Sequence, residues 1–261
     1  MLKANNIHYS AGGKKILQGI TAQFEPGLFH VILGPNGSGK SSFLKIFSGE
    51  LRPQSGEIFY ADRNIAEIDK TTLAQRRAVM SQHPELQFPL SVEEVVMMGR
   101  YPHFGLVPTE KDRKICREVL DSLQISSLSG RDYLSLSGGE KQRVQFARVL
   151  AQLSGDRPES LHYLFLDEPI SSLDIYYQHQ FLQMIKQLLN KQLLVIAILH
   201  DLNIALQYAD RLCFIKEGSV AAMGSPLTIV TASLIKKIFD IPVRILNEST
   251  AGRPIIVYDG A

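Results

Sequence analysis

The stretch GPNGSGKS, residues 34–41, decides the fold, because it fits G-x-x-x-x-G-K-[ST], a pattern that binds phosphate groups. The apolar run FHVIL, residues 29–33, precedes it and predicts a buried strand, and residues 42–47 predict the start of a helix. Glycines let successive N–H groups point at one anion, and the helix N-terminus adds partial positive charge. The alternative is an ordinary glycine-rich turn. We expect a phosphate site formed by Gly34, Pro35, Asn36, Gly37, Ser38, Gly39, Lys40, Ser41 and Ser42.

Length and composition bound the class of protein. The 261 residues, of which 45% are hydrophobic and 21% charged, suffice for one large globular domain or two small ones. A formal net charge of +2 is too small to argue for a nucleic-acid partner or an anionic membrane. The longest apolar run has seven residues, 193–199. A membrane span needs about 20, and the first ten residues lack a signal peptide's apolar stretch, so we expect a cytoplasmic protein.

The order of the predicted elements indicates strands interrupted by a helical part. Residues 2–9 and 19–24 alternate apolar and polar side chains, which predicts two strands around a glycine turn. From Ser91 the pattern changes, with a capping box at Ser91 and Glu94 and a helical period over residues 112–123. We therefore expect a mostly helical insert at residues 89–158.

Two carboxylates, Asp167 and Glu168, follow the buried run YLFL, residues 163–166. Carboxylates at the end of a buried strand need a cation or a proton to be tolerated. The carboxyl ends of parallel strands gather at one edge of a sheet, and the phosphate-binding loop leaves its strand at that edge. We therefore expect Asp167 on the Mg²⁺ side of the site and Glu168 as the group that polarises water. The alternative is an acidic pair that caps a helix.

Four further features have a functional interpretation and a structural one, and the pattern leaves both open. Tyr9 stacks on a purine base or lies on a sheet face. Gln82, at the end of a predicted core strand of residues 78–82, offers a carbonyl to a metal or is unremarkable. Ser137-Gly138-Gly139 is a second anion cradle or a helix start without a ligand. His200 ends the core strand of residues 193–199, which gives it more weight than an isolated histidine.

Together these residues resemble the ATP-binding subunits of ABC transporters, over nearly the whole chain and in the family's motif order. The motif LSGGE, residues 136–140, separates this family from other P-loop nucleotide triphosphatases. The other matching positions are Tyr9 for the base-stacking aromatic, residues 34–41 for Walker A, Gln82 for the Q-loop, residues 164–167 for Walker B, Glu168 for the catalytic glutamate, Asp174 for the D-loop and His200 for the switch histidine.

The resemblance implies a role for each of these groups. Lys40 and the loop amides would hold the phosphates of ATP, and Ser41 and Gln82 would bind Mg²⁺ with Asp167 beside them. Glu168 would orient water and His200 would hold the γ-phosphate, so the expected catalytic residues are Lys40, Gln82, Glu168 and His200. Nucleotide contacts from the signature motif of a second copy would come from Ser137, Gly138 and Gly139, with Asp174 and Tyr9 completing the site.

The same resemblance implies the fold and the partners. The fold would be α/β, a P-loop NTPase (RecA-like) core with an antiparallel β subdomain, from residues 1–88 and 159–261, and an inserted α-helical subdomain at 89–158. The partners would be a second copy of the chain, two copies of a multi-span permease and, indirectly, a periplasmic substrate-binding protein, with no nucleic acid. The protein would lie peripherally on the cytoplasmic face of the inner membrane.

Within the family, the chain looks like the importers of iron–siderophore, haem and vitamin B12, through residues 98–103 and 199–203. Residues 131–133 and 147–153, with the longer linker at 154–160, resemble the haem (hemin) importers more narrowly. Two alternatives to haem import remain: import of an iron–siderophore or of vitamin B12, and a soluble ABC ATPase that takes no part in transport. For the permease we expect docking at the loop of residues 82–89, where Leu86 and Phe88 either contact the partner or pack against the insert.

Overall fold

The computed structural model describes residues 1–81, 86, 88–155, 160–246 and 252–258 of the chain. The strands are β1 (Leu2–Ala11), β2 (Lys14–Phe24), β3 (Phe29–Leu33), β4 (Ser55–Tyr60), β5 (Arg63–Asn64), β6 (Arg77–Met80), β7 (His162–Asp167), β8 (Leu193–Ile198), β9 (Arg211–Lys216), β10 (Ser219–Gly224), β11 (Val243–Leu246) and β12 (Ile255–Tyr258). The helices are α1 (Lys40–Phe47), α2 (Lys70–Arg76), α3 (Val92–Met98), α4 (Glu110–Ser122), α5 (Gly138–Leu153), α6 (Ile175–Leu188), α7 (Leu202–Tyr208), α8 (Pro226–Ile229) and α9 (Ala232–Phe239).

A six-stranded sheet in the order β10-β9-β3-β8-β7-β6 forms the centre of the molecule. The strands from β9 to β6 are parallel to their neighbours, and β10 is antiparallel at the edge. Strands β3 and β8 are buried along their whole length, as expected for parallel strands that are covered on both faces. Because β3, β8, β7 and β6 run the same way, their carboxyl ends lie at one edge.

Two apolar cores lie on opposite faces of this sheet. Side chains of a strand alternate between faces, so Val31 packs with helices α3 to α7 while Ile32 packs with α1. The α1 side also holds the antiparallel sheet β2-β1-β4-β5, and the rings of Phe24 and Phe47 meet edge to face with centroids 5.4 Å apart. Helix α1 is thus held between the two sheets, which fixes the loop that precedes it.

Capping boxes start helices α3, α4 and α5, which lie between β6 and β7 in the chain. Ser91, Thr109 and Ser137 each accept a hydrogen bond from the backbone N–H three residues on, and the acidic side chain there accepts one in return. Because Ser137 is the cap, α5 begins at Gly138, whereas the helical pattern of the sequence predicts a helix over residues 141–153. The buried core runs continuously from these helices to the main sheet. The boundaries at residues 89 and 158 stay a prediction.

The expected α/β architecture, with one antiparallel and one parallel sheet, is confirmed. Two ends differ from expectation. The described part of β6 ends at Met80, short of the predicted strand over 78–82. Helix α6 begins at Ile175 because Asp174 caps it, whereas the amphipathic pattern of the sequence predicts a helix over 178–191. Within the described ranges, no helix combines the length and apolar character that a membrane span requires.

Candidate active site

The loop of residues 34–39 connects β3 to α1, and two of its glycines are required by the backbone. At Gly34, with φ 156°, a Cβ would lie 2.1 Å from the carbonyl oxygen of Ile215 in β9. At Gly39, which caps α1 with φ 101°, a Cβ would lie 2.9 Å from the side chain of Leu17. The loop can therefore lie tightly against β9 and β2 only with glycine at these positions.

Lys40 is held inside this loop. Its Nζ donates to the carbonyl oxygens of Gly34 at 3.0 Å and Pro35 at 2.9 Å, and the residue is 6% exposed. Burial lowers the pKa of Lys40, against the opposing charges of Glu168 and then Asp167. A buried ammonium that is bonded to neutral carbonyls interacts strongly with an incoming anion. The hydroxyl of Ser38 is also buried and has no hydrogen-bond partner among the residues described, so it too can receive a ligand.

Asp167 ends β7 directly beside the first turn of α1. The Ser41 hydroxyl donates to Asp167 Oδ1 at 3.4 Å, and Asp167 is 7% exposed. Burial, and then the charge of Glu168, raise the pKa of Asp167. A hydroxyl and a carboxylate at this spacing fit two neighbouring ligands of a magnesium ion, which lie roughly 3 Å apart at octahedral geometry. The donor set therefore fits Mg²⁺; Gln82, its third predicted member, lies outside the described residues.

Glu168 and His200 meet at the edge where β7 and β8 end. His200 Nε2 lies 2.5 Å from Glu168 Oε1, with the histidine side chain 45% and the glutamate side chain 14% exposed. Glu168 has φ 52°, a left-handed conformation that is uncommon for glutamate and indicates local strain. The structure thus brings the predicted water-polarising carboxylate and the predicted switch histidine into contact. No sequence pattern predicts the strained backbone at Glu168.

Tyr9 lies on β1 opposite Leu17 of β2, which packs over Gly39 at the start of α1. Its ring is partly buried against the core of the β1–β2 side. The structure therefore brings the strand of Tyr9 next to the loop, and both the base-stacking and the sheet-face interpretation remain compatible with this place.

The second glycine-rich helix start lies on the surface. Ser137 and Gly138 are exposed, and Glu140 accepts from both the N–H and the hydroxyl of Ser137, each at 2.8 Å. Those hydrogen bonds, the backbone one first, lower the pKa of Glu140. A Cβ at Gly139 would lie 3.5 Å from Leu173, so this helix start abuts the segment that leads to α6.

Asp174 and Gln142 have structural partners that the sequence did not predict. Asp174 caps α6 by accepting from the N–H of Tyr177 at 3.1 Å. Gln142 on α5 donates through Nε2 to the carbonyl oxygen of Pro169, and so ties the signature helix to the turn after Glu168. Neither contact excludes a nucleotide role for Asp174, which stays a prediction.

A glycine-rich loop that encloses a lysine between a parallel strand and a helix, beside an acidic strand end, defines a P-loop nucleotide triphosphatase. The family model described as ABC transporter matches residues 17–171, which is more than half of the chain. The chain belongs to the ABC transporter family and is a nucleotide-binding protein of that family.

Relatives and solved structures agree with this assignment. The chain is 42% identical over 258 residues to the hemin import ATP-binding protein HmuV of Pseudomonas fluorescens, covering 98% of this chain and 99% of that protein. It is 40% identical over 261 residues to HmuV of Gloeobacter violaceus, covering 100% of this chain and 95% of the relative.

Two solved structures match the fold over most of the chain. A chain of an ABC transporter in an inward-facing conformation matches with a TM-score of 0.84 at 24% identity, covering 99% of this chain and 97% of that one. The ATP-binding cassette MJ0796, in a dimeric post-hydrolysis state bound to ADP and Pi, matches with a TM-score of 0.72 at 25% identity, covering 86% and 98%.

Proposed function

We propose that this chain is the ATP-hydrolysing subunit of an ABC importer that brings haem (hemin) across the inner membrane. The assignment of haem as the cargo rests on the identity of 40–42%, over nearly the whole length, to proteins named for hemin import. The site itself contains groups for phosphate and water, and none of them would contact a cargo. The assignment of the cargo is therefore supported by the relatives, and the assignment of ATP hydrolysis is supported by the geometry of the site.

The loop of residues 34–39 and the start of α1 bind ATP in the ground state. Lys40 leaves its two carbonyl partners and donates to the phosphates, and the N–H groups at the start of α1 point at the same anion. Ser41, Asp167 and Gln82 are the proposed residues for Mg²⁺. When bound, the ion neutralises phosphate charge and polarises the phosphoryl oxygens. Tyr9 is proposed to stack on the base from β1.

Hydrolysis needs a positioned water and a stabilised γ-phosphate. Glu168 accepts a hydrogen bond from the attacking water and polarises it, and its contact with His200 fixes the direction of the carboxylate. His200, on the neighbouring strand end, donates to the γ-phosphate. Positioning and charge neutralisation supply most of the rate in this chemistry, which is why the two strand ends must stay in register.

A second copy of the chain completes the site. The signature residues Ser137, which is exposed, and Gly139, which is half-buried, lie at the start of α5, where a nucleotide held by another copy can reach them. The dimeric post-hydrolysis form of MJ0796 supports this arrangement. We assign Gly138 and Asp174 to the same interface, so that nucleotide lies between the loop of one copy and the signature of the other.

The permease is proposed to dock beside the segment around Phe88. Phe88 is 71% exposed, whereas Leu86 is partly buried against the apolar core, so of these two residues Phe88 is the more available to a partner. The chain would lie on the cytoplasmic face of the membrane through this contact, with a periplasmic binding protein acting indirectly. Phe88→Asp should leave the chain folded and abolish its co-purification with the permease; normal assembly of that variant would place the docking site elsewhere.

The cargo is tested by deleting the gene in its own bacterium. Growth with hemin as the only iron source should stop, and it should return with the wild-type chain but not with the Glu168→Gln variant. Unimpaired growth on hemin together with lost use of an iron–siderophore or of vitamin B12 would reassign the cargo. Normal growth in all three conditions would refute an importer of this group.

A further inference from the structure

The described end of the chain is hydrogen-bonded to helix α7, which follows the switch histidine. Asn203, in the first turn of α7, donates through Nδ2 to the carbonyl oxygen of Ile256 at 3.0 Å. Its Oδ1 accepts from the N–H of the same residue at 2.8 Å. One side-chain amide thus satisfies both polar groups of a residue in β12, as a neighbouring strand would.

The other end of α7 is held by Arg253. Its Nη1 donates to the carbonyl oxygens of Leu206 at 3.0 Å and Ala209 at 2.7 Å. These are among the last carbonyls of the helix, which lack partners within it, and a positive charge there also interacts favourably with the helix dipole. Arg253 Nη2 lies 4.0 Å from Asp210, which in turn accepts from the N–H of Phe29 at the start of β3.

Helix α7 begins two residues after His200. Asp201 caps the helix by accepting from the N–H of Ile204 at 2.8 Å. Tyr258 lies close enough that the charge of Asp201 adds to burial in raising the pKa of Tyr258. Residues 253–258 therefore contact α7 from its cap to its last turn, and Ile256, 3% exposed, anchors them in the core.

The side chain of His200 is 45% exposed and contacts Glu168, and where it meets Glu168 depends on the backbone on either side. On one side β8 is paired with β3 and β7. On the other side stands α7, a helix of only seven residues. A helix this short is marginal by itself, so its orientation comes from what holds it.

We propose that Asn203 and Arg253 are positioning residues that clamp α7 to the carboxyl-terminal segment and so hold His200 at Glu168. The inference rests on the proposed ATP hydrolysis, and it assigns a role to a tail that carries no recognisable motif. Loss of the clamp lets α7 shift and moves His200 off the γ-phosphate, while the loop around Lys40 is untouched.

The test measures ATP hydrolysis by the purified full-length chain, with Asn203→Ala as the variant. We expect kcat to fall about 10- to 100-fold, since a misplacement of about 1 Å can cost about 100-fold. The KM for ATP should change less than about threefold, because phosphate binding lies elsewhere. In a His200→Ala background, Asn203→Ala should cost nothing further, since the two changes remove one function.

Asn190→Ala is the matched control. Asn190 also bonds two backbone groups, donating to Leu188 and accepting from Gln192, but it lies at the opposite end of β8. It should leave kcat unchanged. Arg253→Ala should repeat the effect of Asn203→Ala, and Arg253→Lys should restore part of the rate because it keeps a donor at the helix end.

Amide hydrogen exchange provides a readout without nucleotide. Exchange at residues 202–206 should accelerate in Asn203→Ala and Arg253→Ala, with the circular dichroism spectrum unchanged. Accelerated exchange with a normal kcat would overturn the positioning role, and so would an equal loss of rate in the His200→Ala background. A wild-type chain that hydrolyses no ATP would instead refute the proposed function, which keeps the two failures distinct.

Discussion

The two glycine-rich helix starts, residues 34–40 leading into α1 and residues 137–139 leading into α5, look alike in sequence and differ in the structure. The first is buried between two sheets and encloses a lysine whose bonds go to carbonyl oxygens. The second is on the surface, and its cap is already satisfied by the pair Ser137 and Glu140. The first helix start holds a buried ammonium that donates to neutral carbonyl oxygens, with the charges of Glu168 and Asp167 nearby, whereas the second is complete as a helix cap.

This difference indicates which half of a nucleotide site each helix start supplies. The buried lysine and the strained Glu168 bring a cost that bound nucleotide offsets, which is typical of a primary binding site. The satisfied cap carries no such cost, so it adds contacts only when a second copy brings a nucleotide to it. We therefore propose that the loop supplies most of the nucleotide affinity and that the signature contributes when the two copies close.

Replacing Glu168 with glutamine tests the loop side and should have the largest effect. The amide cannot polarise water as a carboxylate does, so we expect hydrolysis to fall about 1000-fold, within the usual range for a general base. ATP binding, measured by calorimetry, should stay within about threefold, because Glu168 does not hold the phosphates. Glu118→Gln, an exposed carboxylate on α4, is the control and should hydrolyse normally. Near-normal turnover in Glu168→Gln would remove this residue from the catalytic role.

Sequence patterns predicted the loop side of this comparison well because its determinants are local. Glycine, lysine and serine at fixed spacing, a continuous apolar run before them and an acidic pair after another run each follow from nearby residues. Buried parallel strands leave a strong signal, and so the edge that collects Asp167, Glu168 and His200 was predictable.

Two kinds of feature were not predictable from the sequence: hydrogen bonds from side chains to main-chain groups of distant segments, and the backbone conformation of Glu168. Asn203 bonds the main chain of Ile256, and Arg253 bonds the carbonyl oxygens of Leu206 and Ala209. Any residue type can provide such main-chain groups. Gln142 reaches the Pro169 carbonyl in the same way. The positive φ of Glu168 is imposed by the strand ends around it, since glutamate itself has no preference for that conformation.

Lys40→Ala removes the cation from the buried helix start. Charged hydrogen bonds to phosphate contribute about 1.5–3 kcal/mol, so ATP affinity should fall about 10- to 100-fold, and turnover with it. Lys45→Ala is the matched control, because Lys45 lies on the same helix but is exposed. It should bind ATP within about twofold of wild type. Unchanged ATP affinity in Lys40→Ala would count against the loop as the phosphate site.

Ser137→Ala tests the surface helix start, where the Ser137 hydroxyl both caps α5 and is proposed to contact the nucleotide of a second copy. Loss of the cap should lower the free energy of unfolding by about 1 kcal/mol. Turnover at high protein concentration should fall about tenfold, because one hydrogen bond to the transition state is lost, while ATP binding by the monomer stays unchanged.

The matched control for Ser137 is Ser91, which forms the same capping box with Glu94 at the start of α3. Ser91→Ala should lose a similar amount of stability and keep full turnover. If both variants lose turnover equally, the effect comes from helix capping alone and the signature has no special role at Ser137.

The smallest expected effect is a change in melting temperature at two carboxylates whose pKa values shift in opposite directions. Asp167 lies beside the first turn of α1, and Glu140 lies in the first turn of α5. Burial raises the pKa of Asp167, while hydrogen bonds from Ser137 lower the pKa of Glu140. A raised pKa means that folding disfavours the ionised form, so Asp167→Asn should raise the melting temperature of the nucleotide-free chain at pH 7. That gain should shrink as pH falls through the raised pKa, because wild-type Asp167 then becomes neutral as well.

Glu140→Gln should behave in the opposite way. Because the pKa of Glu140 is lowered in the folded chain, the ionised carboxylate stabilises the fold at pH values above its ordinary pKa. Glu140→Gln should therefore melt at a lower temperature than wild type at pH 7, and the two should converge as pH falls and Glu140 becomes protonated. With Mg²⁺ and ATP the order at Asp167 should reverse: the wild type gains stability from bound ligand and Asp167→Asn gains less. Melting curves from pH 8 to about pH 3, with and without Mg²⁺ and ATP, measure all four cases, since a carboxyl with a lowered pKa protonates only below its ordinary value. An Asp167→Asn chain that melts lower than wild type at pH 7 without ligand would show that this carboxylate is stabilising in the empty site, and the cost assigned to the buried helix start would then be wrong.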